Sequence, residues 1–288
     1  MEPSLAQLSA LVAVVDEGGF DLAGSALGVT TSAVSQRVRG LERALGSVLV
    51  TRSSPPRVTA AGERVLGRAR QIAALAGELA AAEAPARTVL PVAVGADALG
   101  TWLEPVMADA AQWGDVVLRM RVEDQDVAHG ALARGEVMGA LSARAQAQTG
   151  CVAVPLGRFR YWPSVSEALW ERHGSLERCP VLVFNSDDDL QHRVLREQGV
   201  RAGAGSAPVH VVGSMEGFAA AVRAGLGWGC LPELQLARMD GTGDIMRVPG
   251  AGPVDVPLHW HRWAASLPGL DRLTDSLVAA AVNALAPL

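Results

Sequence analysis

The feature that most constrains the fold of this chain is a proline-free, alanine-rich stretch from residue 60 to residue 84. It reads AAGERVLGRARQIAALAGELAAAEA and is followed by Pro85. Alanine has the highest helix propensity, and we therefore predict one helix of about 25 residues and about 37 Å. Because so long a helix cannot be buried inside a small domain, we expect it to link two parts of the chain and to pair with a second chain.

Helical spacing of apolar residues predicts three short helices before this stretch. In the first helix the apolar positions are Leu5, Leu8, Leu11, Val12 and Val15. Gly18 and Gly19 end that helix, a second helix follows over residues 20–29, and Thr30 or Thr31 can cap the third. The segment SVLVTRSSPPRVT, residues 47–59, then predicts a β-hairpin. Together these elements indicate a helix-turn-helix with a wing.

Positive charge is concentrated in this part of the chain. Residues 31–70 contain eight arginines and two glutamates, a local charge of +6, whereas the whole chain has a net charge of −5. Such a basic segment favours binding to DNA phosphates, and a helix in the major groove reads bases with its polar side chains. The alternative to a DNA-reading surface is that these polar side chains form an ordinary solvent-exposed helix face. The candidate DNA contacts are Thr31, Ser32, Ser35, Gln36, Arg37, Arg39, Arg52 and Arg57.

From residue 88 onward the pattern changes to strands that alternate with helices. We predict helices that begin near Ala98, Asp126, Asp189 and Met215. The predicted strands cover residues 89–96, 116–124, 137–143, 151–158, 180–186, 209–214, 228–232 and 257–264. This alternation is typical of α/β domains, in which ligands bind at the carboxyl ends of the strands.

Residues of the N-terminal part resemble the winged helix-turn-helix of LysR-type transcriptional regulators. The residues that carry the resemblance are Phe20, Ala23, Leu27, residues 29–38, Leu41, Glu42, Gly46, Leu49, Val50, Arg52, Thr59 and Gly62. Gly24 replaces the alanine that is more common in the family. The segments 53–57, 94–107, 122–142 and 258–264 are similar to the ArgP/LysG branch of this family, which senses basic amino acids and controls their export.

The resemblance implies a winged helix-turn-helix over residues 1–58, a linker and dimerisation helix over 59–86 and an effector-binding domain over 87–288. The effector-binding domain is expected to resemble periplasmic binding proteins, with lobe I at 87–160 and 264–288 and lobe II at 161–263. The implied partners are an imperfectly palindromic operator in double-stranded DNA, RNA polymerase, and lysine or arginine between the lobes. The family also implies a homodimer or homotetramer and no cofactor.

Acidic and hydroxyl residues at the predicted strand–helix junctions are the candidates for effector binding. A basic amino acid needs hydrogen-bond donors for its carboxylate and at least one protein carboxylate for its cationic groups. The candidates are Asp97, Thr101, Trp102, Glu123, Asp124, Ser142, Ser214 and Glu216. For each acidic residue the alternative role is that of a helix cap or a first-turn acid that interacts with the helix dipole.

Other functional classes receive little support from the sequence. We expect no enzyme, because the chain lacks a Gly-x-Ser-x-Gly elbow and its histidines show no spacing typical of a catalytic pair. His259 and His261 could lie on one strand face, but no third metal ligand is close in sequence. The three cysteines lack metal-binding spacing, and we interpret them as buried thiols.

Two alternatives to a basic-amino-acid sensor remain. A solute-binding protein would share the two-lobed architecture, but it would need a signal peptide and would lack the arginine-rich helix-turn-helix. A LysR-type regulator with a different effector would share both domains. No apolar run approaches the ~18–20 residues of a membrane-spanning helix, and we expect a cytoplasmic protein without membrane contact.

Overall fold

The computed structural model describes residues 2–51, 53–81, 87–200, 207–239 and 244–288. The helices are α1 (Leu5–Asp16), α2 (Phe20–Leu27), α3 (Thr31–Leu45), α4 (Ala60–Ala81), α5 (Ala96–Thr101), α6 (Glu104–Ala110), α7 (Gln125–Ala133), α8 (Glu167–His173), α9 (Leu190–Glu197), α10 (Met215–Arg223), α11 (Glu233–Met239) and α12 (Pro268–Ala284). The strands are β1 (Thr88–Val94), β2 (Val116–Val122), β3 (Gly139–Ser142), β4 (Cys151–Ser166), β5 (Val181–Val183), β6 (Val209–Val211), β7 (Gly229–Pro232), β8 (Ile245–Arg247) and β9 (Val254–Trp263).

The chain forms two compact units. The first contains residues 1–94, 110–154 and 260–275, and the second contains residues 95–109, 155–259 and 276–288. Strands β4 and β9 therefore contribute residues to both units.

The N-terminal helices of the first unit have a core of their own. Ser4 and Gln7 form a capping box at the start of α1, and the Thr30 hydroxyl accepts a hydrogen bond of 3.2 Å from the Ala33 N–H at the start of α3. The buried apolar side chains include those of Leu8, Leu11, Val14, Ala23, Val34, Val38, Leu41, Leu49 and Leu66. The three predicted helices are thus confirmed, with Thr30 as the cap of the third.

A hairpin follows α3, as the sequence predicts. Val50 pairs with Val58 in antiparallel fashion, and the Thr51 N–H donates to the Arg57 carbonyl at 2.8 Å. The Thr59 hydroxyl then accepts a hydrogen bond of 3.0 Å from the Gly62 N–H, which caps the start of α4. The predicted long helix is confirmed over 22 residues, and residues 82–86 of the predicted linker lie outside the described residues.

Helix α4 lies against the end of α7 within the first unit. A Cβ atom on Gly67 would be 2.2 Å from the Ala133 carbonyl oxygen, so only glycine allows this approach. The Arg70 guanidinium donates to the Arg134 carbonyl at 2.6 Å and also forms an ion pair with Asp16 at the end of α1. Arg70 therefore connects α1, α4 and α7.

The remainder of the first unit is built on a parallel sheet. Strand β1 pairs with β2 from Thr88↔Val116 to Val94↔Val122 and with β3 at Val92↔Gly139 and Ala93↔Ala140. The strand order continues from β3 to β9. Because β1, β2 and β3 are parallel, their carboxyl ends lie at the same edge of the sheet.

In the second unit, β4 is the central strand. It pairs in antiparallel fashion with β7 from Tyr161↔Pro232 to Ser164↔Gly229 and with β8 from Ser164↔Arg247 to Ser166↔Ile245. A separate parallel pair joins β5 to β6. The buried apolar cluster of the second unit contains Leu182, Phe218, Ala219, Val222 and Leu231.

Several elements were not predicted from the sequence. These are α6, α8, α11, α12 and β8. Strand β4 also extends to Ser166, well beyond the predicted end at residue 158. Within the described residues, no helix combines the length and the apolar character that a bilayer-spanning segment requires.

Candidate DNA and effector sites

The predicted DNA-contacting residues of α3 lie on its solvent side, because Val34, Val38 and Leu41 occupy the opposite, buried face. Thr31, Ser32, Gln36 and Arg39 are exposed, whereas Ser35 and Arg37 are partly buried. Gly46, in the left-handed conformation with φ 66°, ends the helix. The buried face fixes the rotation of α3, and a row of polar side chains from its first turns therefore faces outward.

A shallow depression runs from α3 to the beginning of the wing. Its lining residues are Gln36, Arg39, Glu42, Arg43, Gly46, Ser47 and Val48. The Glu42 carboxylate accepts a hydrogen bond of 2.9 Å from the Leu49 N–H, which orders the loop after α3. Arg57 is exposed on the wing, and Arg52 lies outside the described residues. An open, arginine-lined depression of this kind has the chemistry to accept a phosphate backbone.

Three predicted effector residues come together at α5 in the second unit. The Asp97 carboxylate accepts a hydrogen bond from the Tyr161 hydroxyl of β4, and the Thr101 hydroxyl donates to the Asp97 carbonyl at 2.5 Å. Thr101 and Trp102 are buried, with 3% of each exposed, and Asp97 is partly exposed. The indole N–H of Trp102 has no hydrogen-bond partner within the described part of the chain.

The end of α5 is packed against α10 and α11. A Cβ atom on Gly100 would be 2.4 Å from the terminal methyl group of Met215, the first residue of α10. The Arg238 guanidinium of α11 donates to the carbonyls of Gly100 and Thr101 at 3.0 and 2.6 Å. These bonds satisfy carbonyl groups at the end of a helix, which would otherwise lack partners.

Ser214 and Glu216 lie at the start of α10, and both are exposed. The Ser214 hydroxyl accepts a hydrogen bond of 3.0 Å from the Gly217 N–H, so it is the N-cap of α10. Glu216 is the acidic residue of the first turn. Ser214 therefore has the geometry of a helix cap, and Glu216 has the first-turn position that the sequence left open as its alternative role.

The other candidates belong to the first unit. Glu123 follows β2 and forms an ion pair of 3.5 Å with Arg121, and the backbone of Asp124 is the N-cap of α7. Ser142 ends β3, is 1% exposed and accepts a hydrogen bond of 3.2 Å from the Arg144 N–H. All three lie near the carboxyl-end edge of the parallel sheet, as predicted.

Arg121 also connects Glu123 to a larger charged group. It lies 3.7 Å from Glu136, which accepts two hydrogen bonds of 2.7 and 3.2 Å from the Arg134 guanidinium. These hydrogen bonds lower the pKa of Glu136 below its ordinary value. The carboxylate is therefore ionised at neutral pH.

Comparison with known proteins identifies both parts of the chain. Residues 5–63 match the family described as bacterial regulatory helix-turn-helix protein, lysR family, and residues 83–285 match the LysR substrate binding domain. The lysine export transcriptional regulatory protein LysG of Corynebacterium glutamicum is 40% identical over 292 residues, covering 98% of this chain and 99% of that protein. The chain belongs to the LysR family.

Two solved structures of LysR-family proteins are similar over almost their full length. The crystal structure of ArgP from Mycobacterium tuberculosis has a TM-score of 0.91 and 40% identity, with 98% of each chain covered. Full-length LysG from Corynebacterium glutamicum with bound effector Arg has a TM-score of 0.87 and 39% identity, with 100% of each chain covered. Both likenesses confirm the predicted combination of an N-terminal helix-turn-helix with an α/β effector-binding domain.

The structure places further residues of this LysR-family chain beside the candidate sites, and the sequence did not nominate them. Arg43 and Ser47 line the depression beside α3, and Tyr161 and Arg238 contact the α5 segment. Arg43 follows Arg39 by four residues and could have been found from helical spacing. Tyr161 could not, because it is 64 residues from Asp97 in sequence.

The cysteines and histidines could act as reactive groups or metal ligands, and their burial and contacts bear on both roles. Cys179 and Cys230 are buried, as predicted, whereas Cys151, the first residue of β4, is only partly buried. Burial raises the pKa of Cys151 to about 11, so its thiol is protonated at neutral pH. The Nε2 atom of His261 lies 2.6 Å from the Arg144 carbonyl oxygen. Among the residues that the structure describes, no group of three or more His, Cys, Asp or Glu side chains could hold a metal ion.

Proposed function

We propose that this LysR-family regulator binds arginine or lysine and controls the transcription of an amino-acid exporter gene. The observation that carries the proposal is the full-length similarity to LysG, which is named a lysine export regulator and has a solved structure with arginine bound. The proposal assigns the protein to the cytoplasm and gives it no catalytic role. RNA polymerase is the further partner.

The chemistry around α5 supports a basic amino acid as the effector. Asp97 provides a carboxylate for an ammonium or guanidinium group, and Thr101 and Trp102 lie in the same segment. The buried indole N–H of Trp102 is a donor suited to the effector carboxylate. Glu123, Asp124 and Ser142 are the corresponding candidates in the first unit.

DNA binding in this proposal uses α3 and the wing. Exposed Gln36 and Ser32 read base edges, and Arg39, Arg57 and Arg52 contact phosphates. Pairing of α4 with its counterpart in a second chain places two DNA-binding domains on the two half-sites of an imperfect palindrome. The resulting assembly is a homodimer or a homotetramer.

The proposed operator binding can be tested by sequencing the DNA that the purified protein retrieves from genomic DNA of its organism, with and without each basic amino acid. We expect a palindromic site upstream of an exporter gene, with occupancy that changes when arginine or lysine is added. Retrieval of random DNA under both conditions would contradict the regulator function.

The effector can be tested by calorimetric titration of arginine and lysine into the parent and into the variants Asp97→Ala, Glu123→Ala, Asp124→Ala and Glu216→Ala. Loss of a carboxylate that faces a buried cation costs about 2–5 kcal/mol, whereas loss of an exposed acid in the first turn of a helix changes ligand affinity very little. We expect Asp97→Ala to weaken binding and Glu216→Ala to bind like the parent. If the parent binds neither amino acid at millimolar concentration, the regulator has a different effector.

A further inference from the structure

We propose that Tyr161 is a positioning residue for effector recognition: its hydroxyl holds the Asp97 carboxylate in the orientation that receives the distal cation of arginine or lysine. This inference rests on the proposed effector class. It names a residue outside the candidate set, on a strand rather than at a helix start.

The position of Tyr161 is fixed from several sides. Its backbone is paired with Pro232 of β7, and its ring packs edge-to-face against Phe159 with centroids 5.0 Å apart. Only 8% of the residue is exposed. The ring position therefore fixes the hydroxyl oxygen, and the hydroxyl donates to the Asp97 carboxylate.

The hydroxyl remains a donor at all physiological pH values. Burial, followed by the negative charge of Asp97, raises the pKa of Tyr161 well above its ordinary value. A hydrogen bond from a neutral donor to a carboxylate stabilises the charged acceptor and fixes the plane of its two oxygens. The Thr101 hydroxyl holds the backbone of the same residue through the Asp97 carbonyl, so both parts of Asp97 are oriented.

A purely structural role would make the Tyr161–Asp97 hydrogen bond only a tether between β4 and the start of α5. The two roles predict different responses to the charge of the ligand. Citrulline has nearly the same shape as arginine but carries a neutral urea group in place of the guanidinium. A tether would affect both ligands alike, whereas orientation of the carboxylate matters chiefly for the charged ligand.

The test is the affinity of the full-length protein for arginine and for citrulline, the latter measured by displacement of arginine so that weak binding is quantified. In Tyr161→Phe we expect arginine affinity to fall roughly tenfold and citrulline affinity to change less than twofold. In a protein that already carries Asp97→Asn, adding Tyr161→Phe should change arginine affinity very little. Trp162→Phe is the control, because it removes the hydrogen bond of 2.8 Å from the adjacent indole of β4 to Glu233 and keeps the Tyr161 hydroxyl, so arginine affinity should change less than twofold.

If Tyr161→Phe lowers the affinities for arginine and citrulline by the same factor, the positioning role is overturned and the proposed effector stands. Failure of the parent to bind arginine or lysine would overturn the effector proposal and this inference with it.

A second measurement does not depend on folding of the variant. The chain contains one tyrosine, so fluorotyrosine labelling gives a single ¹⁹F resonance. Arginine should shift this resonance more than saturating citrulline does, and equal shifts would contradict the inference.

Discussion

Gln36 and Arg39 are both exposed on α3, yet they are expected to contribute differently to DNA binding. An amide that hydrogen-bonds a base edge discriminates between sequences, whereas a guanidinium on a phosphate does not. We therefore expect Gln36→Ala to cost about 1–3 kcal/mol on the preferred operator and much less on random DNA. Fluorescence anisotropy with both DNAs measures the difference. Equal losses on the two DNAs would reject base reading by Gln36.

Arg39→Gln serves as the matched comparison on the same helix. It should weaken binding to operator and random DNA alike, and it should reduce the log–log salt slope by about one unit. An unchanged salt slope would show that Arg39 makes no phosphate contact.

Individual residues differed in how far the sequence could predict their roles. The exposed face of α3 followed from the spacing of Val34, Val38 and Leu41, because helical periodicity is a local property. The contact between Tyr161 and Asp97 depends on how β4 lies beside α5, and no local pattern contains that information. The sequence also could not separate cap from ligand at Ser214, because both roles require a hydroxyl at a helix start.

At the scale of elements, the contact between α4 and α7 depends on Gly67. Gly67→Ala would place a methyl group against the Ala133 carbonyl, and we expect it to cost about 1–3 kcal/mol of unfolding free energy. Gly77 lies on the same helix, and a Cβ atom added there would have nothing within 4 Å, so Gly77→Ala should stabilise the protein by about 0.4–1 kcal/mol. Urea unfolding of both variants gives the comparison. A Gly67→Ala protein as stable as Gly77→Ala would contradict the close contact.

Elements with strong periodicity were predictable, and elements shaped by tertiary pairing were not. The leucines at 270, 273 and 277 in α12 have helical spacing, so that helix could have been found. Strand β4 is different, because it contains both Pro155 and Pro163, and within sheets proline is ordinarily confined to edge strands, first residues and bulges. Here Pro163 pairs with Cys230 of β7, and its carbonyl accepts a hydrogen bond of 2.8 Å from the Val248 N–H. Only the neighbouring strands explain why the strand continues.

At the scale of the whole molecule, α4 is expected to form the contact between two chains. Ile72 and Leu75 are 44% and 39% exposed although both are large and apolar. A proline at Ala74 should cost about 3 kcal/mol of helix stability and separate the two DNA-reading domains. Sedimentation velocity should show dissociation of Ala74→Pro, together with loss of operator affinity. A variant that keeps its assembly and its operator affinity would exclude α4 from the interface.

The connection made by Arg70 has a consequence for the engineering of biosensors from this protein. Fusing its DNA-reading part to the sensing part of another regulator would ordinarily place the junction at the end of the wing. Such a junction separates Asp16 from Arg70, and a junction later in α4 separates Gly67 and Arg70 from residues 133–135. A working hybrid should therefore inherit Asp16, Gly67, Arg70 and the 133–135 turn from one parent, or replace all of them together.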